Sequence, residues 1–248
     1  MGTNLSQAAD LLAISRVTIA LTGAGISVES GIAPFRGRGG VWEKFDPFEY
    51  AHIDSYRKHP DKIWKEFLFP LVQTLNKAEP NNGHKGLAKL EDLGLLKAVI
   101  TQNVDGLHQR SGNTEVIEFH GSFARHRCMS CERRLQTSEL DLAVLPPRCH
   151  CGGIFRPECV FFGEMIPAEA MKKAHQLSTQ CEVMLVVGTS AVVQPAAMIP
   201  ETAKESGAKI IEINPDRTPL THRVTDVFLQ GSAGELLPRL VAAVARVR

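Results

Sequence analysis

Residues 17–31 read VTIALTGAGISVESG, and this stretch decides the fold. Positions 17–21 form a short apolar run rich in β-branched residues, the composition of a strand covered on both faces. The run stops at Thr22-Gly23-Ala24-Gly25-Ile26-Ser27, where small residues allow close backbone approach and a tight entry into a helix. Strand, glycine turn and helix in that order open a nucleotide-binding sheet, with backbone amides expected to face a pyrophosphate. The G-x-G-x-x-G pattern of dehydrogenases would need glycine where Val28 stands, so hydride transfer is disfavoured. On these residues alone, a plain strand-to-helix turn stays open as the alternative.

The same punctuation recurs outward from this unit. Apolar runs at 98–101, 183–187, 209–213 and 227–229 each lead into a polar or glycine turn, and helical patterns cover 60–76, 84–93, 167–177 and 195–206. Such alternation predicts the α/β class: a doubly wound, Rossmann-type parallel sheet. Ligands of such sheets sit beyond the carboxyl ends of the strands, where Gly23 and Gly25, Gln102 to Asp105, Gly188 to Ser190 and Asn214 all fall. Residues 122–158 break the pattern with cysteines, prolines and a basic cluster (Arg125, Arg127, Arg133, Arg134). They are expected to form a small inserted zinc-binding module. The chain then divides into a catalytic domain of 1–121 plus 159–248 and a module of 122–158.

Four of the six cysteines carry the metal expectation. Cys128-Met129-Ser130-Cys131 is followed after seventeen residues by Cys149-His150-Cys151, two knuckles able to bring four thiolates around one tetrahedral zinc. The second knuckle is C-x-C, and Gly152 and Gly153 supply the backbone freedom to close it. His126 and His150 are nearby alternative ligands. Four thiolates leave no position for water, so the metal, one Zn2+ per chain, is expected to be structural. Cys159 and Cys181 fall outside the spacing and read as buried small hydrophobes.

Bulk properties remove other classes. The 248 residues include 44% hydrophobic and 22% charged types, ordinary for a folded globular protein. Acids and bases are mixed and the net charge is +1, so no nucleic-acid partner is expected. No apolar run approaches the roughly 20 residues a membrane span needs. The N-terminal stretch lacks the basic and apolar regions of a signal peptide, so the expected location is cytoplasmic.

Six ordered motifs give a resemblance: GAGIS at 23–27, G-I-x-x-F-R-G at 31–37, TQNVDGLH at 101–108, FHG at 119–121, GTS at 188–190 and I-x-I-N-P at 211–215. Over about residues 17–240 the chain resembles the sirtuin family of NAD-dependent protein-lysine deacetylases, of the prokaryotic type. The resemblance implies NAD as co-substrate. Its nicotinamide–ribose bond breaks while the acyl oxygen of a modified lysine attacks the ribose, giving lysine, nicotinamide and O-acyl-ADP-ribose. Catalysis would fall to His120, Asn103 and Asp105, with His120 the general base.

Cofactor contacts carried over by motif are Gly23, Ala24, Gly25, Ser27, Phe35, Arg36, Gln102, Asn103, Asp105, Gly188, Thr189, Ser190, Asn214 and Ala233. Val160, Phe161, Phe162 and Gly163 would hold the acyl-lysine, opposed by Val193 in an extended segment at 191–195. Without the resemblance, a lone histidine beside Phe119 more often serves structure, and the aromatics at 161 and 162 are equally core candidates. His108 competes for the base but belongs to the helix leaving the crevice, and His84 reads as capping or packing a helix.

Partners are expected to be acyl-lysine proteins or peptides. Sirtuins that favour succinyl or malonyl groups resemble one another in a Tyr-x-x-Arg pair on the helix after a His-Pro step. Here 64–71 reads WKEFLFPL without that pair, so neutral acyl groups are expected. ADP-ribosyl transfer, NAD hydrolysis and a non-catalytic zinc-ribbon scaffold are the competing readings. Intact Asn103, Asp105 and His120 argue against the scaffold.

Overall fold

Nine strands form among the described residues: β1 Thr18–Thr22, β2 Ala98–Thr101, β3 Val116–Glu118, β4 Gly121–Cys128, β5 Arg134–Gln136, β6 Phe155–Cys159, β7 Val183–Val187, β8 Lys209–Asn214 and β9 Val227–Gln230. All five residues of β1 are buried. A strand with no exposed face must be central. In the computed structural model, which describes residues 2–37 and 39–247, β1 lies parallel to β2 on one side and to β7 on the other. The sheet continues in the order β3-β2-β1-β7-β8-β9, all parallel. Counted within this sheet the order is 3-2-1-4-5-6, the doubly wound arrangement, and its direction of growth reverses between β1 and β7. A crevice therefore opens beyond the carboxyl ends of those two strands.

Side chains alternate along each strand, so one sheet builds two cores. Val183, Leu185 and Val187 join Ala20, Val99, Ile211 and Ile213 under the helices Gly2–Ile14, Asn82–Asp92 and Ala233–Val247. Met184 and Val186 join Ile19, Leu21, Ile100 and Ile210 under Ala168–Gln180 and Ile199–Glu205.

The expected strands at 98–101 and 183–187 have the expected bounds, those at 209–213 and 227–229 run one residue further, and the one at 17–21 is shifted by one residue to Thr18–Thr22. Sequence reasoning missed β3, a three-residue edge strand, and the two terminal helices Gly2–Ile14 and Ala233–Val247. Asn81 starts its helix two residues before 84, since its side chain accepts from the amides of Gly83 (2.8 Å) and His84 (3.4 Å). The expected helix over 60–76 is interrupted by a π turn, Trp64–Leu68, before Phe69–Lys77. Pro70 explains the turn: it has no N–H, and its ring crowds the carbonyl of Glu66. The expected helix at 195–206 is a 3-10 turn, Ala196–Met198, that runs into Ile199–Glu205.

A second sheet, β5-β4-β6, is antiparallel. The helical segments between Ile53 and Lys77 pack on it, with Tyr56, Ile63, Trp64 and Phe67 in one core with Phe123 and Phe161. Tyr56 Oη (3.0 Å) and Trp64 Nε1 (2.9 Å) donate to the carbonyl of Phe155 on β6. These bonds occupy an acceptor on the outer edge of the sheet that another chain could pair with.

Leu185 is fully buried at the centre of the main sheet. Leu185→Ala is expected to cost about 2–5 kcal/mol, read as a lower urea midpoint with an unchanged slope. A cost below about 1 kcal/mol would show that this core is not the support of the fold.

Candidate active site

The floor of the crevice is made by glycine against glycine. A Cβ on Gly25 would stand 2.7 Å from the Cα and carbonyl oxygen of Gly188, and one on Gly23 would stand 2.9 Å from that oxygen. Gly188 itself has φ +59°, a backbone region that side chains disfavour. Gly25 N donates to Gly188 O (2.8 Å) and Gly23 N to Val187 O (3.1 Å). Of the turn amides expected to face a pyrophosphate, those of Gly23 and Gly25 are used instead in joining the β1 turn to the end of β7.

Above this floor lies a cavity of about 1630 Å³. Its wall includes Gly23, Ala24, Gly25, Gln102, Asn103 and His120 from the first half of the sheet and Gly188, Thr189, Ser190, Asn214 and Ala233 from the second. Phe35 and Arg36 reach it from the loop before Trp42, against whose ring Phe35 stacks at 5.2 Å. Gln102 Nε2 donates to Thr189 Oγ1 at 3.0 Å, a bond across the two halves.

Ser27 and Asp105 do not line the cavity. They stand behind it. Ser27 is 0% exposed and donates to Asp105 Oδ2 at 2.7 Å. Asn103 Nδ2 donates to Gly23 O and to Ser27 Oγ, both at 3.1 Å. Burial pushes the Asp105 carboxyl above its ordinary value, against bonds from the Leu107 amide (3.0 Å) and Ser27 that favour the charge. Ser27 thus ties the glycine turn to the Gln102–Asp105 turn. His84 both completes the cap of its own helix and brings Nε2 to 3.4 Å from Ser27 Oγ.

His120 lines the cavity, and its Nδ1 lies 3.0 Å from the carbonyl oxygen of Gln102. A carbonyl only accepts, so Nδ1 carries the proton and Nε2 keeps its lone pair. Burial lowers the pKa of His120, opposed by the Gln102 bond. Its competitor, His108, is 1% exposed, bonded to Thr22 Oγ1 at 2.9 Å and driven by burial to about 3. His108 belongs to the wall behind the site.

The segment 160–163 is held from two sides. Val160 N donates to His120 O (2.8 Å), Phe162 N to Ala51 O (2.8 Å), and Ile53 N to Phe162 O (3.0 Å). Val160, Phe161, Phe162 and Gly163 all border the cavity, as does Val193 opposite. Phe161 is nevertheless mainly core, 4% exposed, with its ring over the guanidinium of Arg156 at 4.6 Å. The expected extended segment at 191–195 is instead a run of bends and turns, with Ala191 at φ +55° and Ala197 N bonded to Val193 O.

Sequence reasoning missed several wall residues. Trp42, Leu68, Leu71, Val104 and Phe123 line an apolar stretch of the cavity, and nothing in their local pattern separates them from core. Also missed was Arg156, 2% exposed, which donates to both oxygens of Glu164 (2.6 and 2.8 Å) and to Cys159 O (2.6 Å). This pair fixes the ends of the 159–164 segment; two opposite charges eight residues apart around an aromatic pair were its one signal.

The four cysteines converge, with every Sγ within 4.8 Å of the others. Cys128 and Cys151 are 3.5 Å apart and Cys131 and Cys149 3.7 Å. A tetrahedron with 2.3 Å Zn–S bonds has an edge of about 3.8 Å, so the set fits zinc. A Cβ on Gly153 would stand 2.6 Å from Cys128 Sγ, and Cys149 N donates to Gly153 O (2.7 Å), which closes the short knuckle. His126 stacks on Trp64 at 5.7 Å, His150 approaches Arg133 at 2.8 Å, and neither is in the cluster. Burial raises the thiols of Cys159 and Cys181 to about 12 and about 11, which leaves them inert.

A family model described as the Sir2 family matches residues 23–195. The chain is 47% identical over 239 residues to NAD-dependent protein deacylase 2 of Pyrobaculum aerophilum, covering 96% of this chain and 95% of the relative. It is 46% identical to an NAD-dependent protein deacylase of Thermococcus kodakarensis, covering 97% and 95%. Among solved structures, a Sir2 homologue in complex with NAD superposes with a TM-score of 0.90 at 43% identity, over 97% of this chain and 94% of that one. A Sir2 protein bound to a myristoylated histone peptide gives 0.85 at 36%, over 100% and 99%.

The purified protein is expected to carry one tightly held zinc per chain, measured by elemental analysis. Chelation should make the β4–β6 sheet protease-sensitive, because four thiolates without a metal cannot hold the two knuckles together. A metal-free protein with that sheet still protected would refute the structural role.

Proposed function

The chain belongs to the Sir2 family and is an NAD-dependent protein deacylase; we propose that it removes neutral acyl groups from lysine side chains, with His120 as its general base. NAD and acyl-lysine are consumed with water, and free lysine, nicotinamide and O-acyl-ADP-ribose are released. One observation carries this reading: His120 presents an unprotonated Nε2 in the cavity beside Asn103, with its ring fixed by the Gln102 carbonyl.

The remaining roles follow from position. Asn214 and Ala233 take the adenosine end of NAD. The turns Gly23 to Gly25 and Gly188 to Ser190 take the phosphates, and Phe35 and Arg36 close over them. Gln102 and Asn103 take the nicotinamide ribose and the water, and Asp105, held by Ser27 behind the wall, would have to turn into the cavity to take the nicotinamide amide. The acyl-lysine stem passes between Phe162 and Val193, with Val160, Phe161 and Gly163 completing the passage. Residues 1–121 and 159–248 do the chemistry, and 122–158 hold the zinc. Acyl-lysine proteins of the cytoplasm are the proposed partners; no described helix is long and apolar enough to cross a membrane.

Acyl preference rests on Leu68 and Leu71. They stand three residues apart on one helical face, both on the cavity wall, and offer no donor to a carboxylate. A buried acid without a partner is costly. Neutral chains longer than acetyl suit the same apolar stretch of Phe67, Val104 and Phe123.

On one peptide, acetyl-lysine is expected to beat succinyl-lysine by at least about tenfold in kcat/KM, the scale of one unpaired buried charge-bearing group; a succinyl preference overturns the pocket assignment. His120→Tyr should keep fold and zinc yet abolish formation of O-acyl-ADP-ribose, followed by mass, and near-normal turnover would refute the base. Because His120 must be neutral to accept a proton and its pKa is lowered, activity should persist below pH 6.5 and fall only as pH drops through the lowered value. An acid limb centred above 6.5 would contradict that environment.

A further inference from the structure

β8 carries a charged residue where its pattern calls for an apolar one. Ile211 and Ile213 enter one core and Ile210 the other, and Glu212 points to the same side as Ile210. Glu212 is 1% exposed and makes no ion pair among the described residues. Its partners are three hydroxyls from the segment that follows the strand: Thr218 donates to Oε1 (2.6 Å), and Thr221 (2.7 Å) and Thr225 (2.8 Å) donate to Oε2.

A carboxylate accepts only, so it turns all three hydroxyl protons inward and leaves their lone pairs outward. Two of those lone pairs are used. Thr221 Oγ1 accepts from Thr218 N (2.9 Å), and Thr218 Oγ1 accepts from Leu220 N (3.2 Å). Residues 215–226 contain no helix or strand, and this side-chain lattice adds to the few backbone turn bonds within 218–225. The ends of the segment are tied separately, by Gln230 Nε2 to Pro215 O (3.1 Å) and by Asp226 to Ile210 N (2.9 Å). Its middle is held by Glu212 from within, by Leu220 and Val224 packed on the core, and at the surface by the Arg223–Glu201 ion pair (2.8 Å) and by Arg217 over the Phe228 ring (5.1 Å).

That middle is a wall of the cavity: Asp216, Arg217, Thr218 and Pro219 line it next to Asn214. Glu212 and Thr225 do not line it. We propose that Glu212 is a positioning residue for NAD, setting the adenosine-side wall of the cavity through the three threonine hydroxyls. The proposal rests on the assignment of that end of the cavity to adenosine. It predicts a defect confined to the nucleotide, since His120 and the acyl passage stand on other elements.

Glu212→Gln keeps the shape but adds two N–H donors, so at least one hydroxyl must turn its proton away from position 212 and accept instead, which breaks its bond to the carboxylate. For this variant, the calorimetric Kd for ADP-ribose and the KM for NAD should rise by about tenfold, the scale of a lost charge-assisted hydrogen bond. Turnover at saturating NAD and the KM for acetyl-peptide should stay within about twofold. Thr225→Val should raise the same two constants by a few-fold, and Thr225→Ser should restore them. Unchanged nucleotide constants in folded Glu212→Gln, or a parallel fall in kcat and peptide affinity, would overturn the proposal. Should Glu212→Gln not fold, the Thr225 pair decides: failure of Ser to restore what Val removes refutes it. A wild-type protein that does not bind ADP-ribose at all would instead sink the NAD reading.

Discussion

The structure depends on the contact between the turn after β1 and the turn after β7. Gly23 and Gly25 meet Gly188 so closely that no side chain fits at either side, and two backbone bonds join them. The two halves of the sheet meet here, and the floor of the cavity springs from the adjoining strand ends, while the loop carrying Phe35 and Arg36 and the helical segment carrying Leu68 and Leu71 complete its walls. Glycine at these positions closes the seam between the halves. The floor of the cavity is a consequence of that closure.

Behind the seam, polar groups are buried to hold polar groups. Ser27, Asn103, Asp105 and His84 form a connected set that joins the glycine turn, the Gln102–Asp105 turn and the helix Asn82–Asp92. Buried polar groups stabilise only when paired, and here they are paired with each other across three elements. The result is rigidity where His120 hangs from the Gln102 carbonyl. Its proton is placed by the backbone, and its lone pair by subtraction.

The smaller sheet has one apolar core, against the helical segments between Ile53 and Lys77, and further contacts add to it. Four cysteines gather its two knuckles, the Tyr56 and Trp64 donors cover its edge, and the Arg156–Glu164 pair clamps the segment that leaves it for the cavity wall. A buried ion pair is weak evidence for stability, and its consequence here is to fix the ends of a segment that lines the cavity.

Much of this was legible in the chain. Doubly buried strands announce themselves by continuous β-branched runs, so 98–101 and 183–187 could be read directly. Metal knuckles announce themselves by spacing, and most of the turns that line the cavity by ordered motifs. What the chain alone could not reveal was partnership at a distance. That the amides of Gly23 and Gly25 are taken by Gly188 and Val187, that Ser27 serves Asp105 from behind, and that Leu68 and Leu71 wall a cavity while Trp64 beside them is core are outcomes of packing. Local sequence fixes which elements form, because periodicity and turn chemistry act within a few residues. Only the tertiary structure decides which polar group is left facing the cavity, because that depends on which others have already found partners across the fold.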